Sequence, residues 1–187
     1  MTALNMNEIT SQLFIKNMVC QCCIRVIKED LKEIGVNIVT IKLGEAVVSY
    51  NPSKVSWNNI ENKLKESGFE LIYDKEQILV EQIKLAVIEL IHYYNNANSL
   101  IRNSDYLIEK LGYSYQHIAS IFSKHEKITL EKYIIQHKIE KVKELIASDK
   151  VSLSEIAFMM GYSSVQYLSN QFKSLTGFSV TDYKNKK

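Results

Sequence analysis

Two hydrophobic periodicities divide the chain near residue 75. Before it, short alternating runs are interleaved with helical stripes. Gln12 to Met18 alternates as a strand, and Ile24, Ile27, Leu31 and Ile34 recur at helical spacing until Gly35 stops the helix. Val36 to Leu43 alternates again, Gly44–Glu45 turns, and Ala46 to Tyr50 follows as a hairpin partner. Ser56 is placed to cap a helix from Trp57 to Glu66, ended by Ser67–Gly68, and Phe69 to Tyr73 reads as a last short strand. The order βαββαβ predicts a ferredoxin-like α+β domain over residues 11–75, behind a flexible tail at 1–10.

Beyond Lys75 the pattern is helical almost throughout, which predicts an all-α domain over 76–187. Leu79, Ile83, Ala86, Val87, Leu90, Ile91 and Tyr94 form one apolar stripe, giving a helix over 78–94. No proline follows Pro52, so nothing obliges a kink. Breaks at Asn95–Asn98, Gly112, Ser148–Asp149, Gly161 and Gly177 bound further helices near 104–110, 115–124, 130–147, 153–159, 164–174 and 179–185. Within this stretch Asp105-Tyr-Leu-Ile-Glu-Lys-Leu-Gly-Tyr-Ser114 recurs as Ser154-Glu-Ile-Ala-Phe-Met-Met-Gly-Tyr-Ser163. In each copy a glycine permits the left-handed turn, a serine is placed to cap the next helix, and the aromatic after glycine is placed to fill the interhelical angle. That is a helix-turn-helix, twice.

Charge sharpens this picture. The formal net charge is only +2, yet residues 98–187 carry thirteen basic and nine acidic side chains, against nine and nine in 1–75. The excess suits a phosphate backbone. Arg25 and Arg102 are the only arginines among the 23 basic residues, so reading of bases falls to other side chains. The longest apolar run, Ile78 to Tyr94, is broken by Glu81, Lys84 and Glu89, so no membrane span is expected. The start, MTALNMNEIT, has neither a basic opening nor an apolar core, so export is not expected and the cytoplasm is.

The C-terminal part, over roughly 77–187, resembles the AraC-type DNA-binding domain. The motifs that carry the likeness are Leu153-Ser-Glu-Ile-Ala157, Gly161-Tyr-Ser-Ser, Tyr167-Leu-Ser-Asn-Gln-Phe-Lys173, Gly177-Phe-Ser179 and Tyr183-Lys184, with a long connecting helix around Tyr133 to Ile146. The resemblance implies two recognition helices per chain in successive major grooves of double-stranded DNA, so a monomer suffices, although a homodimer is compatible. Base readers would be Gln116, Ala119 and Ser120 in the first helix and Val165, Gln166, Ser169 and Asn170 in the second, with Lys173 a further DNA-binding residue. Gln and Asn favour adenine and Val a thymine methyl, so an A·T-leaning site is expected, read more strongly by the second unit. Arginine is usual in the family where Ser120 and Asn170 stand, and proline where Val180 stands.

Residues 11–73 resemble the heavy-metal-associated domain, through Met18-Val-Cys20-Gln-Cys-Cys23 and the matching Gly35-Val36, Leu43-Gly-Glu-Ala46, Tyr50-Asn-Pro52 and Gly68-Phe69; Asn17 stands where glycine is common. The chemistry is independent of the likeness. Cys20, Cys22 and Cys23 are the chain's three cysteines, a poor disulfide framework and a better thiolate site. A helix N-terminus favours thiolate at Cys20 and Cys23, and two soft sulfurs suit Cu(I) before Zn(II), with Cys22 a third candidate ligand and Met18 packed beneath the loop. A protein metal donor would then be a partner. Two other classes compete: a cytosolic metal carrier or buffer whose helical half does not read DNA, and a thiol–disulfide enzyme. The second lacks a thioredoxin-like order of elements and a proline near the motif, and no enzyme activity is expected.

Overall fold

A computed structural model describes residues 7–93 and 103–185. The chain divides into two compact units, Met1–Leu85 and Ala86–Lys187.

The first unit follows the βαββαβ order. Its elements are β1 (Ile9–Lys16), α1 (Gln21–Glu33), β2 (Asn37–Lys42), β3 (Glu45–Tyr50), α2 (Trp57–Glu66) and β4 (Glu70–Leu71). The antiparallel sheet has strand order β2-β3-β1-β4, the ferredoxin-like arrangement. Leu13 and Ile15 of β1 and Ala46, Val48 and Tyr50 of β3 turn inward at every second position, which is the pleat expressed as burial. Against them lie Ile27 and Leu31 of α1 and Ile60 and Leu64 of α2. The Ser56 side chain accepts from the Asn59 amide while the Asn59 side chain accepts from the Ser56 amide, a reciprocal cap that fixes where α2 begins. The last strand is shorter than the apolar run Phe69 to Tyr73 predicts. Phe69 and Ile72 are buried, and the Ile72 amide still donates to the Phe14 carbonyl at 2.8 Å, but Tyr73 is exposed and gives β1 no further pairing.

A helix α3 (Lys75–Ile88) passes into a π-helical segment, Glu89–Tyr93. The predicted stripe is buried at Leu79, Ile83, Ala86, Val87, Leu90 and Ile91, while Tyr94 lies outside the described residues. Absence of proline therefore did not guarantee a regular helix: the last turn takes i→i+5 bonding while Leu90 and Ile91 stay inward as the stripe predicts.

The remaining helices are α4 (Asn103–Leu111), α5 (Tyr115–Glu126), α6 (Leu130–Ser148), α7 (Leu153–Met159), α8 (Val165–Thr176) and α9 (Val180–Asn185). Their centre is α6, capped by Thr129 and buried at Leu130, Ile134, Ile139, Val142 and Ile146. No helix among the described residues is long and apolar enough to cross a membrane.

Candidate nucleic-acid interface and thiolate loop

Each repeat folds as a helix, a turn through a left-handed glycine and a second helix. Gly112 has φ +74° and Gly161 φ +69°, values that a side chain would strain. The helices they introduce begin on serine caps. Ser114 accepts from the His117 amide at 3.3 Å and Ser164 from the Tyr167 amide at 3.1 Å. The second cap is thus one residue later than Ser163, the position the repeat predicts, because the second turn holds one residue more. Before that turn, Ser152 and Glu155 form a reciprocal cap on α7, and the Ser152 amide holds the Glu155 carboxyl below its usual range.

Buried side chains set which faces remain outside. Ile118 and Phe122 anchor α5, and Leu168 and Phe172 anchor α8. Gln116 and Ser120 are then exposed on α5, with Ala119 half-buried. On α8, Gln166, Asn170 and Lys173 are exposed, while Val165 and Ser169 are half-buried. The Gln166 Nε2 donates to Asn170 Oδ1 at 2.9 Å, a bond the spacing of the two residues allows and the residue types alone did not announce.

Residues outside the expected set hold this face in place. Lys138 of α6 donates to the Met160 carbonyl at the end of α7 at 2.9 Å, with its ammonium 5.6 Å from the centre of the Tyr162 ring. Burial depresses the Lys138 pKa. The Tyr162 hydroxyl donates to Gln171 Oε1 at 2.6 Å, and burial pushes its phenol up to about 12. Tyr162 does fill the angle between α7 and α8. Its counterpart Tyr113 does not: it is 47% exposed and lies against His117 at 5.2 Å between ring centres. A lysine in a helix of alternating charges carries no mark that it is buried, so Lys138 was invisible in the pattern.

In the first unit Cys20 is the residue before α1, extended at φ −154°, and Cys23 lies in the helix's first turn. Their sulfurs are 3.6 Å apart. The Cys20 thiol is held below the ordinary cysteine value, chiefly by the Cys23 backbone amide and then by the Cys23 thiol. Two thiolates at about 2.3 Å from one tetrahedral ion would stand about 3.8 Å apart, and a linear pair at that bond length about 4.6 Å. The observed spacing of 3.6 Å matches two corners of a tetrahedral site, whereas a linear pair would need the sulfurs to part by about 1 Å. Cys22 is exposed, and no cluster of three or more His, Cys, Asp or Glu arranged to hold a metal occurs among the described residues, so the ready pair is Cys20 and Cys23. Met18 is 2% exposed, and its sulfur accepts from the Gly44 amide at 3.2 Å, which makes it a support beneath the loop. Asn17 takes the turn at φ +70° with its side-chain amide donating to the Gly68 carbonyl at 2.9 Å, which compensates for the missing glycine.

Comparison with known proteins agrees with both halves. Residues 12–70 match the heavy-metal-associated domain and residues 107–186 a helix-turn-helix domain. The chain is 24% identical over 158 residues to the xylose operon regulatory protein of Escherichia coli (strain K12), covering 71% of this chain and 40% of that protein. It is 28% identical over 105 residues to the Msm operon regulatory protein of Streptococcus mutans, covering 56% of this chain and 35% of that one. The chain thus spans well under half the length of these curated relatives. Among solved structures, the C-terminal domain of AraT, a response regulator from Geobacillus stearothermophilus, aligns with a TM-score of 0.49 at 19% identity, over 61% of this chain and 89% of that one. Domain by domain, residues 12–70 belong to the heavy-metal-associated family and residues 107–186 to the AraC-type helix-turn-helix family.

Proposed function

We propose that this protein is a cytoplasmic transcription regulator, not an enzyme, that binds double-stranded DNA specifically through α5 and α8. The observation that carries the reading is the repeated unit itself: two capped helices, each anchored by a buried Phe and Ile or Leu, each leaving a polar face free. The connecting helix of 19 residues is about 28 Å long at 1.5 Å per residue, a spacer of the scale needed to place two helices in successive grooves. Gln116, Ser120, Val165, Gln166, Ser169 and Asn170 are the base-facing set, and Lys173 faces the phosphates. One chain supplies both readers, so a monomer is sufficient. The helical domain on this reading starts near residue 76, and the metal-binding domain occupies 11–75.

The regulator further responds to a soft metal ion, Cu(I) before Zn(II), delivered by a donor protein and held by the Cys20 and Cys23 sulfurs. Bound, the ion would cross-link the loop before α1 to the helix's first turn. Support for a response comes from what lies behind the loop. Met18 binds Gly44, and a Cβ at Gly44 would fall 2.7 Å from Leu85 Cδ1, so the β2–β3 turn is packed between the support of the loop and the end of α3. A shift of the loop reaches α3 through two contacts.

Selection of fragments from random DNA, with and without Cu(I), tests both parts. We expect a motif of two half-sites about 34–36 Å apart and an affinity that changes with metal, with metal affinity changing equally on DNA. An affinity untouched by Cu(I) removes the metal response. Weak binding, abolished by salt and without a motif, would make the protein a metal carrier or buffer instead.

A further inference from the structure

We infer that Gln166 and Asn170 read DNA as one unit rather than as two independent side chains, and that the base they read together is a single adenine. This rests on the DNA reading above and specifies its substrate. Gln166 Nε2 donates to Asn170 Oδ1 at 2.9 Å, and both side chains are exposed on α8. The bond consumes one amide donor of Gln166 and one lone pair of Asn170. It leaves Gln166 Oε1, an acceptor, and Asn170 Nδ2, a donor, outside the bond; turning both amides over keeps the bond and again leaves one acceptor and one donor outside it.

The free pair is therefore one acceptor and one donor held on one helix face. In the major groove, adenine alone presents a donor, N6, beside an acceptor, N7. Guanine presents two acceptors, so one of them would meet the pair's outer amide oxygen lone pair to lone pair. Cytosine lacks the acceptor and thymine the donor. An unbonded Gln or Asn satisfies adenine by itself and turns over to suit other partners; the bonded amides turn over only together, so the pair keeps presenting one acceptor and one donor. Specificity thus comes from an orientation set before DNA arrives, with its ordering cost already met in the free protein.

The first unit shows what removal of the partner does. Gln116 is the second residue of α5 as Gln166 is of α8, and Ser120 stands where Asn170 does. A hydroxyl at that position has no amide to offer, so Gln116 keeps its freedom and the first half-site should tolerate more bases.

The test uses the full chain and the duplex recovered by selection, with the critical adenine kept or changed to guanine. Gln166→Ala, Asn170→Ala and the double variant are compared, with thermal unfolding to confirm that α8 is intact. We expect each single change to lower adenine-over-guanine discrimination by roughly five- to 150-fold at one and the same position, and the double change to lose no more than the worse single. In the opposite direction, Ser120→Asn should add an adenine preference in the first half-site. Losses that multiply, or that fall on two different positions, overturn the coupled reading while leaving DNA recognition standing, and the bond is then only a helix-surface contact. A wild-type chain that selects no sequence overturns both.

Discussion

The two helix-turn-helix units share a plan and differ in how each is tied to α6. The second is held by polar contacts: Lys138 reaches the Met160 carbonyl, and Tyr162 is clamped between that ammonium and Gln171. The first is held by rings and by one polar bond from α5, the Tyr115 hydroxyl donating to Glu131 Oε1 at 2.9 Å. Phe122 lies 5.0 Å from Tyr133, which in turn lies 4.5 Å from His137, itself 5.8 Å from His92 in the π-helical segment. Neighbouring residues of one helix thus face different partners: His137 meets the π-helical segment and Lys138 the second unit, while Tyr133 is the ring that touches the first. A directional bond to a backbone carbonyl fixes where α7 ends, whereas stacked rings fix proximity more than angle. The unit that carries the Gln166–Asn170 bond is also the one whose first helix ends on a backbone bond to α6.

The strongest way to break this contrast is Lys138→Met. Methionine keeps the apolar stem but leaves the Met160 carbonyl without its partner and removes the cation from Tyr162, for a cost of about 1–3 kcal/mol, partly offset by relief of the buried charge. Hydrogen exchange should show faster opening of α7 and α8 with α4 and α5 unchanged. Equal loss in both units would mean that α6 holds them as one body and that the contrast has no energetic content.

That anchor also marks the limit of what the sequence pattern reveals. The fold was largely legible: apolar spacing placed Ile27, Leu31, Ile118, Phe122, Leu168 and Phe172 inward, and the βαββαβ order followed from where the period changed. Glycines placed the turns, because only a left-handed residue ends these helices cheaply. What failed were features set by contacts rather than by periodicity. The π-helical turn, the exposure of Tyr113 and the shift of the cap to Ser164 leave the spacing of apolar residues unchanged, so periodicity does not register them. Of the expected DNA-facing residues Gln116, Ser120, Gln166, Asn170 and Lys173 are exposed and Val165 and Ser169 half-buried, but the Gln166–Asn170 bond needs the rotamers, and Lys138 needs a neighbour that only folding supplies.

A smaller effect separates the units by pH. Burial lowers the His92 pKa from the ordinary 6.5, against a raising influence of Glu144 at 3.7 Å, and Lys141 and Glu140 lie near. Burial also lowers His137, to which His92 adds. The folded state then binds fewer protons than the unfolded one. Stability from the neutral pair is complete above pH 6.5 and is lost as pH falls from there through the depressed folded values. The effect is modest because both rings keep part of their surface in water. Acidification should loosen the π-helical segment and the first unit before the second, and His137→Phe should flatten that dependence. An unchanged pH profile in the variant would show that the ring stack is not what ties the first unit to α6.

The smallest effect lies at the ends of α5 and α8. The α8 helix closes on Gly177 at φ +78°, whereas α5 closes on Lys127 at φ +57°, a left-handed residue that carries a Cβ. A side chain in that region crowds its own carbonyl, so the first helix ends under strain that the second avoids. Lys127→Gly should therefore stabilise the first unit by about 0.5–1 kcal/mol, reduced by the extra freedom glycine gives the unfolded chain. Gly177→Ala should destabilise the second by about 1 kcal/mol, since nothing lies within 4 Å of the added Cβ and the whole cost is backbone. Urea unfolding reads both as shifts of midpoint at constant slope. Opposite signs would show that the weaker anchoring of the first unit extends to its cap; the same sign in both would mean that Lys127 gains from its side chain more than its backbone loses.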